Sequence, residues 1–274
     1  MNAHRSILDL VYLEREGFRP LSLDLHLPAA PPAETGGRHP LVVFMHGGGW
    51  QWGDRRGFGA PPEDGFARIA AAGFAVASVD YRLSGEARFP AQLDDVSAAI
   101  DRLRADADVH SLDPDRIVLW GESAGGTISA LLGLGAGIRE RGVVGVVDWY
   151  GPHDLEALTR ARGIFDDPES AEARWIGGAV SAMPEAARAA SPVDHVHPDA
   201  PPFHLAAGDR DVPVPLAQSE SFAEALRRAG VDVEFDVHPG AGHRWREAGP
   251  EVAELALARA LAFASRVTAR TPVP

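Results

Sequence analysis

Arg116-Ile117-Val118-Leu119-Trp120-Gly121-Glu122-Ser123-Ala124-Gly125-Gly126 is the stretch whose reading decides the fold. Ile117–Trp120 is continuously apolar, the pattern of a strand covered on both faces. From Ala124 to Leu134 the residues suit a helix. Between them Gly121-Glu122-Ser123-Ala124-Gly125 matches G-x-S-x-G, a sharp strand-to-helix turn that lifts a serine above a sheet. Glycines suit a turn where flanking side chains would clash. The helix start aims free N–H groups and a positive dipole end at whatever reacts with Ser123. The plain alternative is a helix entry with Ser123 as its N-cap. A strand directly before and a helix directly after favour the nucleophile.

Working outward, short β-rich runs alternate with helical patterns. Strands are expected at Ile7–Glu14, Pro20–Leu27, Leu41–His46, Phe74–Asp80, Arg116–Trp120, Val143–Trp149, Phe203–Ala207 and Val231–His238. In the second, Leu21, Leu23, Leu25 and Leu27 alternate with polar residues, as in a half-exposed strand. Helices are expected at Asp64–Ala72, Gln92–Ala105, Ala124–Leu134, Pro215–Ala229 and Pro250–Val267. Leu93, Val96, Ile100 and Leu103 form one apolar stripe on the second of these. Two early strands followed by repeated strand–helix units imply an α/β architecture, a mostly parallel eight-stranded sheet with helices on both faces. His26–His39 reads as an exposed turn rich in proline, glycine and alanine. Residues 151–202 are longer than a crossover needs, with helical patterns at Glu169–Trp175 and Pro184–Ala190. They read as a lid-like insertion within one domain spanning residues 1–274.

Composition narrows the chemistry. At 45% hydrophobic and 24% charged residues the chain is globular, and a net charge of -13 disfavours nucleic acid and anionic membrane as partners. There is no cysteine, so no disulfide, thiolate metal site or Cys nucleophile, and every Lys+Arg residue is arginine, so no Schiff-base lysine. No H-E-x-x-H or comparable metal spacing occurs, and neither metal nor cofactor is expected. Met1 to Leu10 lack the pattern of a secretory signal, and no apolar run has the length of a membrane span, so a cytoplasmic location is expected. No interface signature stands out, which leaves the oligomeric state open.

His46-Gly47-Gly48-Gly49-Trp50 follows a buried strand, and Asp80-Tyr81-Arg82, Phe89-Pro90-Ala91-Gln92 and Asp113-Pro114-Asp115-Arg116-Ile117 follow in order before the serine motif. From about Leu41 to the end, the chain resembles the α/β-hydrolases, in the esterase and lipase branch with an H-G-G-G loop. It is similar to the subgroup of feruloyl and acetyl-xylan esterases and kynurenine formamidases. The resemblance implies Ser123 as nucleophile, and an oxyanion hole of the Gly48, Gly49 and Ala124 amides. Which of Gly47, Gly48, Gly49 and Trp50 point inward stays open, and His46 is expected to be structural. In Gly208-Asp209-Arg210-Asp211 the resemblance, through the family's pattern G-D-x-D-x-x-V, implies the acid at Asp211, with Asp209 bracing the turn and Asp154 the outside candidate. Gly240-Ala241-Gly242-His243 is similar to the loop ending on the catalytic histidine, and His238 is expected to finish the preceding strand. The order Ser123, Asp211, His243 is that of the fold.

The implied reaction is hydrolysis of a small-molecule carboxylic ester through an acyl-enzyme. An amidase of the formamidase kind with the same three residues stays open, as does a catalytically idle binding protein on this scaffold. Trp50, Trp52 and Trp245 are candidate walls of an apolar acyl pocket, or else ordinary packing residues. Arg244 stands where the branch often has a small or aromatic residue.

Overall fold

The computed structural model describes residues 4–29 and 37–269. Part of the expected turn, residues 30–36, lies outside them. His39, placed in that turn, instead opens a strand and is buried, its N–H donating to the Ser111 carbonyl at 2.8 Å.

All eight expected strands are present and form one sheet: β1 (Arg5–Leu13), β2 (Leu21–Leu27), β3 (His39–Met45), β4 (Ala75–Val79), β5 (Leu112–Glu122), β6 (Val143–Trp149), β7 (Phe203–Gly208) and β8 (Val233–His238). Their spatial order is β1-β2-β4-β3-β5-β6-β7-β8, and every neighbouring pair from β4 to β8 is parallel. β2 alone runs against the others, pairing antiparallel with both β1 and β4.

Central strands read as unbroken apolar runs because each residue has a covered face to go to. Leu41, Val43 and Met45 of β3 enter one core cluster, and Val42 and Phe44 enter the other. Ile117 and Leu119 of β5 part from Val118 and Trp120 in the same way. The first cluster takes the apolar stripes of α2 (Ala91–Ala105), α4 (Ala124–Gly133) and α8 (Ala217–Arg228). The second takes α1 (Gly65–Ala71) and α9 (Pro250–Thr268). Between α2 and β5 lies the four-residue α3 (Ala107–His110), which was not expected.

Two expectations need correction. β2 is not half-exposed: Ser22 and Asp24 are buried, because Asp24 turns toward Arg55 and meets its Nε at 2.9 Å. In residues 151–202, α6 (Ala171–Ile176) and α7 (Pro184–Ala189) match the expected patterns, but α5 (Leu155–Ala161) was missed.

Candidate active site

Ser123 sits between β5 and α4 with φ 52° and ψ -119°, a conformation costly for a residue with a side chain. Packing holds it there: its N–H donates to the Trp149 carbonyl at 2.9 Å, and its carbonyl accepts from Thr127 N–H at 3.1 Å. The motif glycines are required by contact. A Cβ at Gly121 would collide with the Gly125 carbonyl, and one at Gly125 with the Met45 carbonyl at the end of β3.

The loops after β7 and β8 bring two more of the expected residues to this turn. His243 Nε2 lies 3.0 Å from Ser123 Oγ, and His243 Nδ1 lies 2.7 Å from Asp211 Oδ2. Nδ1–H donated to an ionised Asp211 leaves Nε2 as acceptor for the serine proton. Asp211 Oδ1 accepts from Val214 N–H at 2.8 Å, so both oxygens of this buried carboxylate are engaged. The competitors are occupied elsewhere. Asp209 Oδ1 accepts from Gly240 N–H at 2.6 Å, which ties together the loops that carry Asp211 and His243. Asp154 caps α5, accepting from Ala157 N–H at 2.9 Å. His238 ends β8, buried against Trp245.

The glycine loop faces the serine from the end of β3. Gly48, at φ 123°, lets the chain double back so that Gln51 and Trp52 N–H both donate to its carbonyl at 3.1 Å. Gly48, Gly49 and Ala124 line the cleft, and their N–H groups donate no backbone hydrogen bond among the described residues. The other runs quoted from the sequence support this loop. Tyr81 OH donates to the His46 carbonyl at 2.8 Å, and its ring stacks on the His46 ring at 4.3 Å. Burial pushes the His46 imidazole pKa down, as fits a neutral packing residue. Arg55, just beyond the loop, meets Asp24 and places NH1 2.7 Å from Asp80 Oδ2. Gln92 donates to the Arg82 carbonyl at 2.7 Å and accepts from Trp175 Nε1 at 3.0 Å. Trp175 of α6 in turn stacks on Trp50, centroids 4.1 Å apart and planes 5° apart.

Ser123 and His243 open into a cleft of about 510 Å³, within the range of small-molecule sites. The three candidate tryptophans fare differently. Trp52 stands at the cleft, 72% exposed. Trp50 borders it, but its ring is buried in the stack with Trp175. Trp245 does not line it: it is buried in the second core cluster against Trp149 and Tyr150, at 5.5 and 4.9 Å. Arg244 (φ 62°) and Trp245 (φ 59°) are both in the left-handed region, and this turn puts Arg244 at the cleft and Trp245 on the sheet.

One cleft residue was quoted in the sequence motif without a role. Glu122 is buried beside Ser123, and burial pushes its carboxyl pKa up to about 7. The Arg244 guanidinium, the Ala60 and Gly59 amides and the Tyr150 hydroxyl pull against that rise. Its burial depends on Gly59 and Arg244 folding over it from distant segments. The neighbouring glutamate in G-E-S-A-G, read with the unusual Arg244, was the available signal.

Among the described residues, no group of three or more His, Cys, Asp or Glu side chains is placed to hold a metal ion. No helix among them is long and apolar enough to cross a membrane.

Comparison with known proteins gives three findings. The family model BD-FAE matches residues 23–226. The esterase LipC of Mycobacterium tuberculosis is 35% identical over 218 residues, covering 74% of this chain and 52% of LipC, so the chain spans about half of that relative's length. Solved structures share the whole architecture. A truncated carbohydrate esterase from gut microbiota superposes with a TM-score of 0.83 at 25% identity, over 97% of each chain. A bacterial heroin esterase does so with 0.76 at 26%, over 98% of this chain and 85% of its own. These neighbours have the α/β-hydrolase fold, and the eight-stranded sheet described above is that fold.

Proposed function

The chain belongs to the BD-FAE family, and from that premise we propose that it is a serine hydrolase of small carboxylic esters. The observation that carries the reading is the continuous path Ser123 Oγ, His243, Asp211, with contacts of 3.0 and 2.7 Å. His243 Nε2 takes the Ser123 proton as Oγ attacks the ester carbonyl. The Gly48, Gly49 and Ala124 amides, unspent on the backbone, receive the oxyanion, each such donor contributing about 3 kcal/mol in comparable sites. Nε2 then protonates the departing alkoxide, and water, deprotonated by the same nitrogen, releases the acid. Asp211 stays ionised throughout and holds the ring. Residues 151–202 wall the cleft through Pro152, Arg162, Ala171 and Glu172.

The esterase relatives support ester over amide as the scissile bond. The test is turnover of p-nitrophenyl acetate together with covalent labelling by a fluorophosphonate probe. Ser123→Ala is expected to lose both, with kcat falling on the order of 10⁶-fold. Retained turnover in pure variant protein would remove Ser123 from the reaction.

A further inference from the structure

Three polar groups of the cleft have no task in the acyl transfer: the Glu122 carboxyl, the Tyr150 hydroxyl and the end of the Arg244 side chain. Glu122 Oε1 and Tyr150 OH are buried, and neither has an aligned hydrogen-bond partner. The hydroxyl reaches the carboxyl as an off-line hydrogen-bond donor, so the pair leaves the capacity of Oε1 incompletely used. Arg244 donates Nε–H to the Gly59 carbonyl, and its terminal nitrogens make no further hydrogen bond or ion pair among the described residues. The segment around Gly59 packs against both Glu122 and Arg244: a methyl at Gly59 would collide with Glu122 Oε2 and lie 3.9 Å from Arg244 Nε, and the Gly59 and Ala60 amides donate to the carboxyl.

A buried carboxyl oxygen without a well-aligned partner is destabilising. Folds rarely leave one without a reason, and binding sites are one such reason. The chemistry of the partner follows from what surrounds it. An ammonium group would pair with Glu122 but face the Arg244 guanidinium. A carboxylate would pair with Arg244 but face Glu122. A neutral hydroxyl satisfies both at once, donating to the carboxyl and accepting from the guanidinium, while Tyr150 OH can take either role.

We propose that Glu122, Tyr150 and Arg244 form a subsite for a neutral hydroxyl group carried by the ester, close to the scissile bond. The proposal rests on the ester-hydrolase reading and adds a substrate class to it. It makes Glu122 and Arg244 the residues that reject esters bearing a formal charge at that position.

The experiment compares kcat/KM within matched ester pairs. The acyl side is tested with p-nitrophenyl butyrate and p-nitrophenyl 3-hydroxybutyrate, and the alcohol side with propyl acetate and 2-hydroxyethyl acetate. A charged arm adds p-nitrophenyl hemisuccinate and acetylcholine. On one of the two sides the hydroxyl ester is expected to be preferred at least about tenfold, with both charged esters below it. Glu122→Gln should shrink that preference and raise hemisuccinate relative to butyrate, and Arg244→Met should raise acetylcholine relative to propyl acetate. These opposite shifts are ones a merely structural role would not produce. Equal rates within both wild-type pairs would overturn the subsite, as would variants that scale every ester alike. Turnover of p-nitrophenyl acetate and probe labelling in the same preparation keep the two readings apart. If those fail, the ester-hydrolase reading falls, and if they succeed while the pairs stay equal, the subsite alone falls.

Discussion

At the end of β7, the Asp211 carboxylate has both oxygens engaged, one by His243 and one by the Val214 amide. At the end of β5, the equally buried Glu122 carboxyl has an oxygen with no aligned partner, and its pKa is pushed up to about 7. The two acids lie under one cleft and differ in what meets them. Around Glu122 the Gly59 and Ala60 amides, the Tyr150 hydroxyl and the Arg244 charge all favour the anion, and together they do not offset its burial.

The sharpest way to break the contrast is to remove the charge that is held. Asp211→Asn keeps the volume but offers His243 the wrong partner, so the ring loses its tautomer. The kcat is expected to fall about 10⁴-fold, roughly 5 kcal/mol of transition-state stabilisation, with unchanged circular dichroism. A loss below tenfold would show that the His243 contact is incidental.

Next in size is the acid that is not held. A carboxyl whose folded pKa lies above its unfolded value near 4.5 contributes fully in its protonated form at low pH, and the contribution is lost as pH rises through about 7. Relative to Glu122→Gln, the wild type is therefore expected to lose about 3 kcal/mol of stability between pH 4 and pH 8. Urea unfolding of both proteins at the two pH values measures the difference, and parallel stabilities would mean that Glu122 keeps its charge at little cost.

The smallest effect belongs to the third acid near the strand ends. Asp154→Ala removes the α5 cap and should cost about 1 kcal/mol with kcat unchanged. A hundredfold drop in kcat would give Asp154 a role at the site.

The sheet was legible because Leu41–Met45 and Ile117–Trp120 read as strands covered on both faces, and the serine turn joined one of them to a helix, whereas the spatial order of the strands was not. That Ser123, Asp211 and His243 would meet was legible because each lies just after a strand in a glycine-bearing loop that matches the family's pattern. Trp245 stayed open between pocket wall and packing residue, since nothing in the chain marks the two left-handed residues that turn it inward. α5 was missed although Asp154 followed by Leu155 and Leu158 is a cap before an apolar stripe, because that aspartate had been weighed as an acid. Asp24 was read as solvent-facing from alternation alone, and its partner Arg55 lies in a different segment. What hid the settings of Asp24 and Glu122 was a pairing between distant parts of the chain.

The Trp50–Trp175 stack joins the glycine loop to the 151–202 segment through two indoles in van der Waals contact. Indoles so close couple their ultraviolet transitions, which gives the molecule an optical gauge at that joint. Lifting of the segment from the loop would be visible in circular dichroism without any label, and Trp175→Phe would supply the silent baseline.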